Sequence, residues 1–566
     1  MAKGDALRRA RTAFLLVCLL LAGCRAAPLP RAVPTPFQPL MPTAMPTPAP
    51  FTPTPEARLW VDPMLPADLR EAVQTVGAVK TAERFEEANL HLGVTFTPKR
   101  AAEWVYALAA PFSSLDDGVD GEALRAFWSG KEAPGMPEEP ILMSAETLAA
   151  FEARWGQAAA GAVEVASAED LLKIAWGQPQ RWALIPFEAL EPRWKVLRVD
   201  GVSPLDREFQ AQSYPLTVYY GVVEGDPAGW VQFPASNRDS QRLTVVVMSG
   251  VTALVRSTGA KMETLGMRYP GEEIKDWLRD ADFTHVSNEV SFDPRCPPAN
   301  PHQTSLMFCS RPEYLDLLSY VGVDIVELSG NHVMDYEVGS LPYSLEQYRQ
   351  RNMRYYAAGM TQQEAREPLL LEHHGNKIAF VGCNPAGPPT VWATETRPGV
   401  ANCDDDWMTA KIGELRDQGY LVIATVQYFE HYAMTITPFQ QRDFPPLAEA
   451  GAVIVQGSQA HYPQGFGFVG NSLIHYGLGN LFFDQMYVPE GFGGQSFHPD
   501  LPIPGTRLEF IDRHVFYDGR YVGSEILTAV LEDYAQPRPM SAAERRVFLQ
   551  EAFRVSLWPA DEENQP

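Results

Sequence analysis

The sequence lacks three features that would each have indicated a class of protein. It has no Cys-x-x-Cys pair, so a zinc site built from cysteine thiolates is not expected. Its 46 Lys and Arg residues are outnumbered by 70 Asp and Glu residues, and the net charge of −24 argues against binding nucleic acid or adhering broadly to anionic lipid. No apolar run of about 20 residues follows residue 24, so no membrane-spanning helix is expected there.

Residues 1–23 have the pattern of an export signal. Basic residues at the start are followed by an apolar run, Ala13–Ala22, which is too short to span a bilayer but has the length of a signal core. The run ends in Leu-Ala-Gly-Cys, which resembles a bacterial lipobox and implies a lipid on Cys24. The alternative is an ordinary signal peptide in which Cys24 is incidental. With the lipid, we expect an exported protein anchored to the outer face of the cell membrane.

Residues 24–57 are rich in Pro, Thr and Ala. Repeated X-Pro steps favour extended polyproline-II geometry and cannot form a packed core, so this segment is predicted to be a semi-rigid stalk.

Four cysteines remain after the signal and the lipid site, and an even number in an exported chain permits disulfides. Proximity in sequence favours the pairs Cys296–Cys309 and Cys383–Cys403. The other connectivities stay open at this stage.

The length of 566 residues is too great for one hydrophobic core, so two folded domains are expected. In residues 58–237, short apolar runs alternate with amphipathic segments, which indicates a smaller α/β domain. Its segments at 104–119, 124–130, 182–204 and 214–220 resemble a type 2 periplasmic solute-binding module of the phosphate-binding kind.

That resemblance implies a site for a small anion in the N-terminal domain. Ser113 and Ser114 could donate hydrogen bonds to it, and the alternative for these residues is a turn between two elements. Ser144 and Asp170 are predicted to begin helices, because each is a capping residue that precedes an apolar periodic run.

A second α/β unit is predicted over residues 238–535, with a final helix and an acidic tail over residues 536–566. Ser541 and Glu544 have the spacing of a capping box at the start of that helix. In the second unit, each strand-like run ends in a cluster of polar side chains. The cluster Asn331-His332-x-x-Asp335 is one of several, and strands that carry polar groups at their carboxyl ends predict one site at one sheet edge.

Four segments of this unit resemble the CapA/PgsA family of capsule and poly-γ-glutamate synthesis proteins, which are related to calcineurin-like metallophosphatases. The segments are 282–292, 321–341, 355–384 and 450–485. The resemblance implies a four-layer α/β/β/α sandwich and a two-metal site at the strand ends, in which metal ions polarise a substrate oxygen and activate water.

Carried over residue by residue, the resemblance implies a set of site residues. The metal ligands would be Glu289, Asn331, His332 and His461, holding Mn, Zn or Fe. The catalytic groups would be His332, Asp335 and His461, together with Glu430 and His431, which match no position of the pattern but lie near Gln427 in the sequence. Further polar groups would line the pocket: Asn288, Gln427 and Gln459. Asn480 and Asp484 lie in an element that is either part of the site or structural.

Three positions depart from the family pattern. Val251 stands where the resemblance implies an Asp ligand, and Gln427 and Gln459 stand where it implies His. A Val side chain cannot coordinate a metal, and an amide is a poor ligand for a transition ion beside imidazole. A standard dinuclear centre is therefore not expected. The remaining polar residues would form a hydrogen-bonded cleft, bind one hard cation, or hold a polar ligand.

These patterns lead to two hypotheses on function. One is a metal-dependent hydrolase or transfer component that acts on an anionic extracellular polymer, poly-γ-glutamate or a capsular polysaccharide. The other is a lipid-anchored scaffold or ligand-binding protein with an altered phosphoesterase-like site. A solute receptor that works through its N-terminal domain is a third and weaker hypothesis.

Overall fold

The computed structural model describes residues 56–558 except 76–78, 97–100, 178–179, 225–230, 304, 486, 489–494 and 497–504. The predicted signal, Cys24 and all but the last two residues of the predicted stalk lie outside the described residues. No described helix combines the length and the apolar character that a bilayer crossing requires.

A nine-stranded mixed sheet is built from residues before Leu243. Its strand order is β3-β1-β4-β12-β5-β9-β7-β8, with β10 also paired to β5. The strands up to this point of the chain are β1 (Arg58–Val61), β2 (Gln74–Thr75), β3 (Lys80–Thr81), β4 (Leu90–Thr95), β5 (Ala101–Pro111), β6 (Gly118–Val119), β7 (Ile141–Met143), β8 (Val163–Val165), β9 (Ala183–Pro186), β10 (Trp194–Val196), β11 (Arg198–Val199), β12 (Thr217–Glu224) and β13 (Val231–Gln232).

Two further sheets follow, with orders β17-β16-β15-β14-β28-β29-β30 and β19-β20-β22-β23-β25-β24. Their parallel strands are almost wholly buried, as apolar runs such as Leu243–Thr252 predict. The strands of this half are β14 (Leu243–Thr252), β15 (Phe283–Asn288), β16 (Ile325–Glu327), β17 (Arg354–Tyr356), β18 (Ala358–Gly359), β19 (Leu369–His373), β20 (Asn376–Cys383), β21 (Gly399–Val400), β22 (Leu421–Gln427), β23 (Ala452–Ser458), β24 (Phe466–Val469), β25 (Ser472–His475), β26 (Tyr487–Val488), β27 (Gln495–Ser496), β28 (Leu508–Tyr517), β29 (Arg520–Glu532) and β30 (Gln536–Pro539).

The helices connect these strands and cover the sheets. They are α1 (Ala67–Ala72), α2 (Gly121–Trp128), α3 (Ala145–Trp155), α4 (Leu171–Ala175), α5 (Arg256–Leu265), α6 (Lys275–Arg279), α7 (Leu315–Val321), α8 (Ser340–Gln350), α9 (Gln362–Ala365), α10 (Asp405–Asp417), α11 (Pro438–Asp443), α12 (Pro445–Ala450) and α13 (Ala542–Arg554).

The two C-terminal sheets pack face to face through one apolar core. Phe380, Ile423 and Ile454 of one sheet meet Val246 and Ile325 of the other. Helices α5 to α8 cover the outer face of the sheet that contains β14, and α10 and α12 cover the outer face of the other sheet. The predicted α/β class and its α/β/β/α layers are therefore confirmed for this half of the chain.

Local signals in the sequence act as expected at two helix starts. The Ser144 side chain accepts a hydrogen bond from the Thr147 backbone at the start of α3. Ser541 and Glu544 form the predicted capping box of α13. Asp170 precedes α4 but makes no side-chain cap there, because its carboxylate instead accepts from the Ser167 hydroxyl at 2.6 Å.

The structure contains the disulfides Cys296–Cys309 and Cys383–Cys403, the pairings that sequence proximity favours. The first closes the loop between β15 and α7, and the second ties the end of β20 to the segment before α10. Both disulfides therefore fasten loops that follow parallel strands.

The sandwich depends on large aromatic side chains between its sheets, and Phe466→Ala tests this. The Phe466 side chain is fully buried, with its ring 5.4 Å from the Phe510 ring and 4.1 Å from the His475 ring. We expect the free energy of unfolding to fall by about 3–5 kcal/mol in denaturant titrations, because the cavity left by the ring cannot collapse fully. Phe439→Ala is the control, since that side chain is 61% exposed. Equal effects of the two substitutions would contradict the described core.

Candidate active site at the strand ends

Residues from three strand ends and from both C-terminal sheets meet at one point. Glu289 follows β15, Gln427 ends β22 of the facing sheet, and His461 follows β23. The Gln427 amide Nε2 donates a hydrogen bond to Glu289 Oε1 at 3.1 Å. The His461 Nε2 atom lies 3.9 Å from the same oxygen. The structure thus brings together side chains that are far apart in the sequence. The region around Glu289, Gln427 and His461 is called the cleft below.

The orientation of Gln427 is fixed by its other neighbour. Its carbonyl oxygen accepts a hydrogen bond from the Ser458 hydroxyl at 2.6 Å, so its NH₂ group faces Glu289. Both Gln427 and Glu289 are almost fully buried. The amide therefore acts as a donor to the carboxylate rather than as an oxygen ligand.

The glycine before the Asn-His cluster lets two strand ends approach closely. A Cβ atom at Gly330 would lie only 2.5 Å from the Glu289 Cα atom. Val290, which follows Glu289, and His332, two residues after Gly330, form an isolated parallel bridge. Any larger residue at position 330 would push the His332 loop away from Glu289.

His332 and Asp335 form a hydrogen-bonded pair at the edge of this cluster. The His332 Nδ1 atom lies 2.6 Å from Asp335 Oδ2, which also accepts from the Phe308 backbone N–H at 3.1 Å. Burial alone would lower the pKa of His332, but the hydrogen bond to Asp335 and the charges of Glu289 and Glu430 raise it above its ordinary value. These neighbours thus stabilise the protonated imidazole relative to one without them.

His461 is oriented by Asn480. The His461 Nδ1 atom lies 2.9 Å from Asn480 Oδ1, and the Asn480 amide donates to the Thr506 carbonyl at 3.1 Å. When Nδ1 carries the proton, Nε2 is left as an acceptor beside Glu289. The backbone at His461 has a φ of 53°, a region that costs most residues free energy and is often found at functional sites.

The predicted pair Glu430 and His431 separates in the structure. Glu430 accepts a hydrogen bond from the Tyr432 hydroxyl at 2.8 Å, and its charge helps to raise the pKa of His332. His431 instead lies beside the Thr435 hydroxyl at 3.3 Å. Burial lowers the pKa of His431, and no cleft carboxylate opposes that shift. The His431 backbone N–H donates to the Ala460 carbonyl at 3.3 Å, next to His461, but the described hydrogen bond of its ring is to Thr435 and not to another predicted site residue.

The amide side chains of the predicted pocket have different roles. The Asn288 amide donates to the Val290 carbonyl and the Tyr348 hydroxyl, so it anchors the loop against α8 rather than lining the cleft. Asn331 Oδ1 and Gln459 Oε1 are buried acceptors without a hydrogen-bond partner among the described residues. Acceptors of this kind are costly unless a ligand or water satisfies them.

The residues around Val251 do not fit a two-metal centre. The Val251 side chain lies in an apolar cluster with Ala253, Val255, Val290, Phe308 and Phe483. Gln427 presents NH₂ rather than an oxygen, as described above. Within the described ranges, no three His, Cys, Asp or Glu side chains are grouped so as to hold a metal ion. Glu289 and His461 could at most contribute to a single weak site.

Two ionisable residues in this region were missed by the sequence reasoning. Arg256 begins α5 with its guanidinium carbon 4.7 Å from the centre of the Phe308 ring. Glu327 is buried at the end of β16, where Thr425 donates to it at 3.5 Å, and burial raises its pKa. A glutamate inside the apolar run Asp324–Leu328 was a readable signal. No sequence signal marked Arg256, because its position depends on ring contacts made across loops.

The serines proposed for an anion site in the N-terminal domain take part in a turn. Ser114 Oγ accepts from the Asp116 backbone N–H at 3.2 Å, and Ser113 Oγ accepts from the Gln180 amide at 2.5 Å. Asp116 and Arg546 line the same cavity, so it contains one carboxylate and one guanidinium beside the serines.

The comparison with known families concerns the stretch that contains the cleft. Residues 245–485 match the family described as bacterial capsule synthesis protein PGA_cap. The match supports the CapA/PgsA family for this part of the chain. Every cleft residue from Val251 to Asp484 lies inside the matched stretch, so the departures at Val251, Gln427 and Gln459 are departures within the family's own site region.

Two curated relatives belong to Bacillus species. Capsule biosynthesis protein CapA of Bacillus anthracis is 23% identical over 270 residues, 46% of this chain and 65% of that protein. PGA biosynthesis protein CapA of Bacillus subtilis (strain 168) is 24% identical over 174 residues, 31% of this chain and 46% of that protein. The chain thus spans less than two thirds of the length of each of these relatives.

Solved structures show weaker likenesses. A 5′-nucleotidase precursor from Thermus thermophilus aligns with a TM-score of 0.30 and 14% identity, over 55% of this chain and 57% of that one. An ABC-type phosphate transport receptor from Vibrio cholerae aligns with a TM-score of 0.21 and 13% identity, over 25% of this chain and 70% of that one. At these scores the likenesses carry no argument about function.

Asp335→Asn tests the electrostatic pairing of His332. Replacing the carboxylate by an amide removes its negative charge, so we expect the pKa of His332 to fall, as measured by NMR titration of the imidazole. Because the folded-state pKa of His332 is raised, its contribution to stability is complete below the unfolded value of 6.5 and is lost as pH rises through the folded pKa. This pH dependence should weaken in the variant.

The His431 imidazole is the internal control for this titration, since it contacts Thr435 rather than Asp335. Its pKa should not change in Asp335→Asn. An unchanged pKa at His332 would show that the described pair does not exist in solution.

Proposed function

We propose that this chain is a cell-envelope lipoprotein that takes part in the biosynthesis, export or retention of a capsule-type polymer, poly-γ-glutamate or a polysaccharide. In this proposal the lipid on Cys24 anchors it to the outer face of the membrane, and the cleft at the strand ends binds the polymer or its synthesis machinery. The family match over residues 245–485 and the two CapA relatives support a role in capsule synthesis. The N-terminal sequence pattern supports export and anchoring.

The hydrogen bond from Gln427 to Glu289 carries the proposal of a binding cleft. A His at position 427 could coordinate a metal, but the amide donates to the carboxylate and is itself held by Ser458. Together with the apolar cluster at Val251, this arrangement favours recognition by hydrogen bonds over dinuclear metal chemistry.

The cleft offers a polar ligand both acceptors and donors. Asn331 Oδ1 and Gln459 Oε1 would accept from amide N–H or hydroxyl groups of the polymer, which would satisfy acceptors that have no partner among the described residues. A protonated His332 has Nε2 available as a donor, since Nδ1 is engaged by Asp335. Polymers of γ-linked glutamate or of sugars carry both kinds of group.

Hydrolysis is a second candidate function, which the His332–Asp335 pair favours. An imidazole with a raised pKa that is held by a carboxylate could protonate a leaving oxygen or nitrogen. Asp335 would fix the ring and stabilise the imidazolium. Because the residues at positions 251 and 427 do not fit the two-metal centre that the family resemblance implies, we derive no step through metal ions.

Polymer binding by the full-length chain tests the proposal. We expect immobilised protein to retain labelled poly-γ-glutamate or capsular polysaccharide without shortening it. Asn331→Leu and Gln459→Leu should each weaken retention roughly five- to tenfold, since one hydrogen bond to a neutral group contributes about 1 kcal/mol. Gln350→Leu is the matched control, because that amide lies on the exposed face of α8.

Two outcomes would contradict a cleft that binds the polymer without cleaving it. Shortening of the polymer, together with stoichiometric Mn, Zn or Fe that is lost in His332→Ala, would establish the hydrolase instead. Failure of the wild-type chain to retain either polymer would remove the proposed role of the cleft.

A further inference from the structure

The Arg256 side chain is an unassigned cation inside the cleft. It is 8% exposed, and its guanidinium carbon lies 4.7 Å from the centre of the Phe308 ring and 6.0 Å from that of Phe483. The Phe308 ring is 4.9 Å from the His332 ring. The Phe483 ring is 5.2 Å from the His461 ring. Arg256 is therefore linked to each histidine of the site through one phenylalanine ring.

The guanidinium has a donor that the described protein does not use. Its Nε atom is buried and has no hydrogen-bond partner among the described residues. Stacking on a ring occupies the face of a guanidinium and leaves its N–H edge free, which matches the two oxygens of a carboxylate. A buried donor without an acceptor is costly, and a ligand that supplied oxygens would satisfy it.

The rings around Arg256 pack against Val251, one of the residues that depart from the family pattern. Phe308 and Phe483 belong to the apolar cluster around Val251. An Asp in place of Val251 would put a second charge against these rings. Arg256 itself has a φ of 47°, so the chain maintains an unfavourable backbone conformation at the residue that points the guanidinium into the cleft.

We propose that Arg256 is the fixed cation of this cleft and binds a carboxylate group of the ligand, in the region where the family resemblance implies metal ions. The proposal rests on the function proposed above in one respect only, namely that the cleft binds a ligand. A carboxylate is favoured over a phosphoryl group because three carboxyl groups, those of Asp484, Glu289 and Glu430, already act electrostatically on Arg256, with Asp484 the strongest of the three. A doubly charged phosphate would be repelled more strongly than a singly charged carboxylate.

Small anions provide the test, with the full-length chain in mild detergent at constant ionic strength. Glutarate and inorganic phosphate are titrated separately by calorimetry. We expect glutarate to bind more tightly than phosphate. Arg256→Gln should weaken glutarate binding by at least about tenfold, because it removes a charge-assisted bidentate contact. Arg256→Lys should bind with intermediate affinity, since it keeps the charge but loses the fork.

Arg268→Gln is the matched control. The guanidinium of Arg268 also lies over a ring, 5.2 Å from the centre of Tyr320, but it is paired with Asp316 on an exposed surface. Its loss should leave glutarate binding unchanged. If Arg256→Gln fails to fold, Arg256→Lys provides the test of glutarate binding, since lysine keeps a positive charge against the same rings.

Three results would overturn the inference. Unchanged glutarate binding in folded Arg256→Gln or Arg256→Lys would place the anion elsewhere. Tighter binding of phosphate than of glutarate would replace the carboxylate by a phosphoryl ligand. Wild-type protein that retains polymer but binds neither anion would show that Arg256 only balances the cleft carboxylates, while the proposed function stands. Conversely, glutarate binding that depends on Arg256 without polymer retention would leave this inference standing and contradict the proposed function.

Discussion

The hydrogen bond between Gln427 and Glu289 is the interaction on which the site depends. It joins the ends of two strands that belong to different sheets of the sandwich, and it does so where water is almost excluded. A carboxylate buried without partners would be costly enough to distort the fold or to draw in solvent. The amide, held in turn by Ser458, meets that requirement and fixes the spacing of the two sheets at this edge.

Further polar contacts also cross between the same two sheets. The Tyr356 hydroxyl, at the end of β17, lies 3.0 Å from the Thr425 hydroxyl of β22 and 2.9 Å from His285 Nε2. Thr425 also donates to Glu327. Such a connected network strengthens its members and specifies one arrangement of the sheets. The sandwich is therefore apolar at its centre and polar toward the strand ends, where the candidate site lies.

The sequence predicted the architecture of this half of the chain because its signals are periodic and repeated. Apolar runs that end in polar clusters indicate parallel strands whose ends share an edge, and this rule placed Glu289, His332 and His461 in one region without coordinates. The same rule could not say which way each side chain in a loop points. Asn288 faces α8, and His431 faces Thr435, because single-residue rotations in loops leave no periodic trace.

Arg256 shows a second limit of sequence reasoning. Comparison with a family pattern identifies a missing ligand at Val251, but it does not show what occupies the space that is released. The rings of Phe308 and Phe483 come from segments about 50 and 230 residues away along the chain, and only the folded structure shows that they enclose one guanidinium. Val251 and Arg256 both contact the rings of Phe308 and Phe483, so the position that departs from the pattern and the buried cation share one set of neighbours.

A double-mutant cycle between Glu289 and Gln427 tests the central claim most directly. The free energy of unfolding would be measured for the wild type, Glu289→Ala, Gln427→Ala and the double variant. The account predicts a coupling of about 1.5–3 kcal/mol, as expected for a buried hydrogen bond to a charged group. Effects that add to within about 0.5 kcal/mol would show that the two strand ends do not contact each other and that the described cleft does not exist.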